Sequence, residues 1–419
     1  MIELTRLRLE SAVSALKVVL TLVGPADVAV RSFFRDHRQL GQHDRAFVAE
    51  VVFTVLRHLR LLEQLAGGMA PRRLALLALG TQLGFTAREL APMLAGDEQS
   101  WLASAGATDL SCLPAAVRVS LPDWIYERLA QRFAPNELES LTGALLQPAP
   151  LDLRVNTLLC SRDSVLEQFS QEGIRATATP YSPVGVRLEA KPALQRHPLF
   201  LEGKVEVQDE GSQLLAYLVA PRRREMVVDF CAGAGGKTLA LGALMHSQGR
   251  LYAFDTADKR LTNLRPRLKR SGLSNVHPQL ISGEADARVQ RLAAKIDRVL
   301  VDAPCSGLGT LRRNPDLKWR QTLESVTRMS AQQRAILAAA GRLVKPGGRL
   351  VYATCSLLAE ENDSIVDAFM QAHPEFHPIS ASEVLRAHGI ALDTGERLRV
   401  FPHTHRMDGF FAAVLERHA

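Results

Sequence analysis

Five cysteines in 419 residues are too few and too scattered to organise this chain: Cys112, Cys160, Cys231, Cys305 and Cys355 contain no Cys-x-x-Cys pair, and their number is odd. That pattern excludes a disulfide framework and the common zinc spacings, and it makes free thiols the expectation. Cys112, Cys160 and Cys231 read as small buried apolar residues. No apolar run approaches the ~20 residues of a membrane span. Charges interrupt the opening stretch MIELTRLRLE, so nothing there resembles a secretory signal. Internal repeats and low-complexity segments are missing as well. A cytoplasmic monomer is expected, with neither membrane nor metal among its partners.

What is present is a soluble globular composition, 47% hydrophobic and 23% charged, at a length that calls for two or three domains. The net charge of +7, with a pI near 9.3, favours an acidic partner such as nucleic acid. The excess is unevenly placed. Residues 1–146 carry 15 basic and 15 acidic side chains, so the positive charge lies entirely beyond them.

Residues 1–146 read as helical throughout. Between 44 and 65 the positions Phe47, Val48, Val51, Val52, Val55, Leu56, Leu59, Leu62 and Leu65 recur at helical spacing on two faces, as in a helix at the centre of a bundle. Further helices are expected at 72–80, 124–133 and 137–146, the last opened by Asn136 and Glu139 at capping-box spacing. Arg31, Arg35, Arg38 and Arg45 flank a polar loop; a solvated helix surface accounts for them, and RNA contact is the alternative.

Gln147-Pro148-Ala149-Pro150 breaks the helical pattern. Beyond it lies a small α+β unit, with strands at 151–155, 175–179 and 185–188 and a helix at 163–171. Arg154 and Asn156 fall on a strand read as half exposed. Farther on, strands at 226–230, 250–255, 276–281, 298–303 and 349–354 alternate with helices, the pattern of a doubly wound parallel α/β sheet.

Such sheets place their chemistry at the carboxyl ends of the strands. The strand at 226–230 runs into Cys231-Ala232-Gly233-Ala234-Gly235-Gly236-Lys237-Thr238, whose glycines allow a sharp turn and close approach to a ligand. This is not a Walker A loop, which needs glycine at 231, nor a dinucleotide fingerprint, which needs glycine at 238. Asp255 closes the next strand twenty residues after Gly235, where these folds set a carboxylate on a ribose. With Asp286 and Asp302 it points to a nucleoside cofactor, S-adenosylmethionine.

Asp302 and Cys305 end the fourth strand in DAPCSG. Cys355 ends the fifth, fifty residues after Cys305, the span of one helical crossover between neighbouring parallel strands. Two thiols are thus expected at one crevice. Their chemistry suits a pyrimidine: C5 attacks a methylsulfonium only after a thiolate has added at C6. A second thiol or other base then helps to remove the C5 proton and free the enzyme.

FCAGAGGKT, DAPCSGLGT, RRNPDLKW, YATCS and DGFFAAVLER resemble the successive motifs of the RNA 5-methylcytosine methyltransferases, the bacterial 16S ribosomal RNA methyltransferase B-like group with its nucleolar relatives. The likeness runs from about residue 153 to the C-terminus. DRAFVAEVVFTVLR is similar to the antitermination-factor-like helical domain of the bacterial members, and LRVNTL and VQDEGSQL to their RNA-recognition-motif-like unit. The resemblance implies a class I, Rossmann-like S-adenosylmethionine-dependent methyltransferase divided at 1–146, 147–215 and 216–419.

It also implies roles. Cys355 matches the nucleophile and Cys305 the thiol that assists release. Asp302 matches a carboxyl group near both cytosine edge and cofactor, placed to hydrogen-bond N3 or the amino group. Lys237 and the backbone of 231–236 match the methionine end of the cofactor site, Asp255 the ribose contact and Asp286 the adenine contact. The usual CAAPGGKT has Ala-Pro where this chain has Gly233-Ala234, a less rigid loop. The implied substrate is ribosomal RNA, with transfer RNA as alternative. Two rival readings stand beside it: a DNA cytosine methyltransferase, which would attack through Cys305, and a ribosome-assembly factor with a disused catalytic domain. His403 and His405 lack further ligands and read as a structural turn.

Overall fold

The computed structural model describes residues 3–190 and 192–419. They form two compact units, 1–148 with 310–323, and 149–309 with 324–419. Residues 310–323, inside the stretch expected to be catalytic, pack among the helices instead.

In the helical unit, Thr5 caps helix Arg6–Val19 by accepting the Arg8 amide. Leu9, Val13 and Leu16 of that helix share a core with Val48, Val51, Val52 and Val55 of helix Gln42–Arg57. The single helix expected over 44–65 is broken at His58, and Leu59–Ala66 continues as a separate helix. Captured hydrogen bonds explain the break. A continuous helix would give the carbonyls of Leu56 and Arg57 to the amides of residues 60 and 61. Those carbonyls accept instead from Trp319 Nε1 and Lys318 Nζ, each at 2.7 Å. The freed amides of Arg60 and Leu61 donate to Ser120 Oγ at 2.9 and 3.4 Å. Burial, reinforced by Arg57, pushes the Lys318 ammonium well below its ordinary pKa.

Two other helices differ from expectation at their ends. Helix Pro135–Leu145 starts with proline at its first helical position, so Asn136 sits inside the first turn instead of capping it. Helix Pro71–Leu77 passes into a π-helical turn, Ala78–Gln82. The arginines flanking the polar loop have local partners in three cases: Arg31 with Asp27 at 2.8 Å, Arg35 with Ser32 Oγ at 3.0 Å, and Arg45 with the Leu40 carbonyl at 2.9 Å.

In the second unit, strands β1 (Leu151–Val155), β2 (Ala176–Ala178), β3 (Gly185–Leu188) and β4 (Val205–Val207) form an antiparallel sheet in the order β2-β3-β1-β4. Helix Arg162–Gln171 buries Val165 and Phe169 against it. Arg154 and Asn156, expected half exposed, are both buried. Arg154 Nη1 donates to Gln208 Oε1 and to the Gly236 carbonyl, each at 2.6 Å, and Asn156 Nδ2 donates to the carbonyls of Gly203 and Ser271. A polar–apolar alternation marks two faces of a strand without saying what covers the polar one.

The larger sheet has eight strands: β5 (Met226–Asp229), β6 (Arg250–Asp255), β7 (Val276–Leu280), β8 (Ile296–Asp302), β9 (Val344–Thr354), β10 (Phe376–Ile379), β11 (Leu398–Val400) and β12 (Phe410–Arg417). Their order is β10-β12-β9-β8-β5-β6-β7, with β11 beside β12. Strands β5 to β9 pair in parallel, as the sequence predicts. Antiparallel β12 then extends the sheet beyond β9 and carries β10 and β11. The chain runs outward from β5 through β6 to β7, then returns to β8 on the other side of β5. That reversal opens a crevice at the carboxyl ends of β5 and β8. Val228, Val299, Leu300, Val351 and Tyr352, packed on both faces, form the layer beneath it.

Candidate active site

Cys231, Gly233, Lys237, Asp255, Asp302, Cys305 and Cys355 all line one cleft of about 610 Å³ at the carboxyl ends of β5, β6, β8 and β9. Sheet topology is what gathers them, since they span more than a hundred residues of sequence.

The loop after β5 forms the cleft floor. Gly233 and Gly235 adopt φ of +57° and +85°. A Cβ at Gly235 would lie 2.1 Å from Leu264 Cδ1, whereas one at Gly233 would meet nothing within 4 Å. The Gly233 amide donates to Asp255 Oδ2 at 2.9 Å, and the Ala257 amide to Oδ1 at 2.7 Å. Ala232 is buried, its amide bonded to the Phe254 carbonyl. Ala232, Ala234, Gly235 and Gly236 shape the loop without lining the cleft. Where the more usual sequence has proline, the Ala234 carbonyl accepts from Arg267 Nη1 at 2.6 Å, and Arg154 holds the carbonyl two residues on. Two guanidinium groups thus fix a backbone that its own residues leave free.

Lys237 Nζ and Asp302 Oδ2 are 2.6 Å apart across the cleft floor. Burial opposes the lysine charge, but the adjacent Asp302 carboxylate outweighs it and holds the ammonium above its ordinary pKa. Cys305 Sγ and Cys355 Sγ lie 3.4 Å apart. Two thiols so close cannot both ionise easily. The hydrogen bond shared with Cys355, and then burial, push the Cys305 thiol well up. Cys231 is also pushed well up, chiefly by burial. Cys112 is exposed, contrary to expectation, and Cys160 is half-buried.

Asp286 is not brought to the cleft lining, where Gly283 and Glu284 stand instead. It caps helix Ala287–Gln290, accepting the amides of Ser282 and Arg288 at 2.8 Å each, and these hold its carboxyl below the usual range. Phe410, from the DGFFAAVLER stretch, and Met329 also line the cleft, and nothing in the residues around Met329 marked it in the sequence.

A family model described as 16S rRNA methyltransferase RsmB/F matches residues 216–416, and a second, for the RsmF/B-like ferredoxin-like domain, matches residues 121–195. The probable ribosomal RNA small subunit methyltransferase B of Synechocystis sp. is 38% identical over 300 residues, covering 71% of this chain and 67% of that protein. The chain belongs to the RsmB/F family of RNA methyltransferases. Two solved structures share its fold. PH0851 superposes with a TM-score of 0.81 at 24% identity over 99% of both chains. NSun6 from Pyrococcus horikoshii, solved with SFG, gives 0.62 at 21% identity over 71% of this chain and 98% of its own.

In this RsmB/F member a further acid lies beneath the glycine loop. Asp229, at the end of β5, accepts from Thr238 Oγ1 at 2.7 Å, while its Oδ1 has no partner among the described residues. Burial raises its pKa from 3.8 to about 7. The fold therefore favours the neutral acid. The stability this confers is complete below pH ~4 and is lost as pH rises through about 7. The full shift corresponds to roughly 4 kcal/mol. Asp229→Asn is expected to flatten the fall in melting temperature across that window; an unchanged pH profile would remove Asp229 as its source.

Proposed function

We propose that the chain transfers a methyl group from S-adenosylmethionine to C5 of a cytosine in ribosomal RNA, through a covalent bond between Cys355 Sγ and C6 of the base. The observation that carries this reading is the 3.4 Å approach of two thiols at adjacent parallel strand ends, beside the Lys237–Asp302 pair.

The cleft suits the cofactor. Gly233 leaves open space where a side chain would stand, and Asp255 offers a carboxylate at the end of β6. NSun6, which shares the fold, was solved with SFG, an S-adenosylmethionine analogue. When bound, the cofactor supplies a methyl group on a sulfonium. Lys237 with Cys231 and Gly233 would hold its methionine end and Asp255 its ribose hydroxyls, while Asp286, which caps a helix outside the cleft lining, would not reach its adenine.

Cys355, as thiolate, adds to C6 and makes C5 nucleophilic. Asp302 hydrogen-bonds the cytosine N3 or amino edge and stabilises the charge that develops there. After methyl transfer, the C5 proton leaves with assistance from Cys305, and Cys355 departs as thiolate. Thiol and methyl donor approach opposite ring faces, so the target base must be unpaired or flipped.

The test is bisulfite mapping of ribosomal and transfer RNA from cells with and without the gene. One ribosomal 5-methylcytosine is expected to vanish and to return with the intact gene. Loss from transfer RNA alone would assign the alternative substrate. No change in any RNA, with no methyl transfer in vitro, would favour a non-enzymatic assembly factor.

A further inference from the structure

Two of the three cysteines lining the cleft are followed by a serine, Ser306 after Cys305 and Ser356 after Cys355, and both serines are buried. Their hydroxyls lie 3.1 Å apart and donate to one atom, Glu361 Oε2, each at 2.5 Å. Glu361 Oε1 accepts the Ser306 amide at 2.8 Å and Gln333 Nε2 at 3.1 Å. Gln333 Nε2 also donates to the Pro304 carbonyl at 2.8 Å.

A fully buried carboxylate is costly unless its acceptor sites are filled. Here four donors fill them, from both cysteine turns and from helix Leu323–Leu343. The neighbouring Asn362 serves only one turn: its Oδ1 accepts from Thr354 Oγ1 at 2.5 Å and its Nδ2 donates to the Ser356 carbonyl at 2.9 Å. Asn362 thus shapes the Cys355 turn, whereas Glu361 joins that turn to the Cys305 turn.

We infer that Glu361 is a positioning residue whose carboxylate clasps Ser306 and Ser356 and thereby sets the separation of the Cys305 and Cys355 thiols. Its catalytic consequence rests on the two-thiol reaction proposed above; the thiol separation itself does not. A carboxylate suits the task because one of its oxygens accepts two hydroxyls at once while the other takes a backbone amide.

Phenylarsine oxide reports the separation directly. It condenses with two thiols that reach one arsenic atom, forming two As–S bonds and releasing one water from the oxide oxygen and the two thiol protons. The full-length protein is expected to take it up at Cys305 and Cys355, identified by mass spectrometry, with Cys305→Ser as the control that abolishes bidentate binding.

Glu361→Gln puts an amide donor where donors already converge, and Ser306→Ala with Ser356→Ala removes the clasped hydroxyls. Both are expected to weaken arsenical affinity about tenfold or more and to lower kcat by about a hundredfold, with KM for RNA and cofactor little changed. A purely structural Glu361 would lower the melting temperature and leave the arsenical affinity of the folded protein intact. Unchanged affinity in the folded variants overturns the inference; if Glu361→Gln fails to fold, the serine pair decides. Weakened arsenical affinity with no methyltransferase activity in the wild type would uphold the clasp and sink the proposed reaction.

Discussion

Replacing Cys305 with alanine is expected to leave a protein that accumulates a covalent RNA adduct, while Cys355→Ala forms none. With Cys355 as nucleophile, addition at C6 and methylation at C5 proceed without Cys305, but the step that removes the C5 proton and frees the enzyme loses its assistance. Losing a positioned proton acceptor or donor costs roughly 10²–10⁴ in turnover, and that cost falls on release. The geometry agrees: Cys305 Sγ stands 3.4 Å from Cys355 Sγ, close enough to act on a base that Cys355 holds. Denaturing electrophoresis of labelled RNA with each variant reads the result. An adduct in Cys355→Ala and none in Cys305→Ala would move the nucleophile to Cys305 and revive the DNA-type mechanism.

Asp302→Asn carries the second large effect. The substitution removes the charge 2.6 Å from Lys237 Nζ and replaces a carboxylate oxygen at the expected cytosine edge with an amide. Loss of one electrostatic contact to a developing charge lowers kcat by about 10²–10³. It also leaves a largely buried ammonium without its partner, a change worth roughly 3 kcal/mol in stability. Single-turnover methylation per folded molecule separates the two consequences. A variant that melts earlier but methylates at the wild-type rate would confine Asp302 to a structural role.

The parallel sheet was legible because β5, β8 and β9 carry valine- and leucine-rich buried runs, and helical stretches separate the strands. The glycine loop and the Pro-Cys-Ser and Thr-Cys-Ser turns could be read because each is written in a few consecutive residues. Antiparallel β12 was less so: Phe410 to Leu415 is a continuous buried run whose length and composition do not state which way it pairs. Asp286 drew attention as the implied adenine contact, yet its oxygens cap a helix by accepting the Ser282 and Arg288 amides.

The helix expected across 44–65 failed for a reason no periodicity contains. Its carbonyls at Leu56 and Arg57 are taken by Trp319 and Lys318, more than 250 residues away. Arg154 was misjudged in the same way, since its acceptors, Gln208 and the Gly236 carbonyl, come from later segments.

By itself, then, the sequence determined the sheet, the glycine loop and the presence of two thiols at strand ends, because those follow from spacing and backbone preference along a few residues. Tertiary structure alone decided that the thiols stand 3.4 Å apart, that Lys237 meets Asp302, and that Glu361 reaches both cysteine turns. Hydrogen bonds and ion pairs act over about 3 Å, and only the folded order of strands determines which distant atoms come within that range.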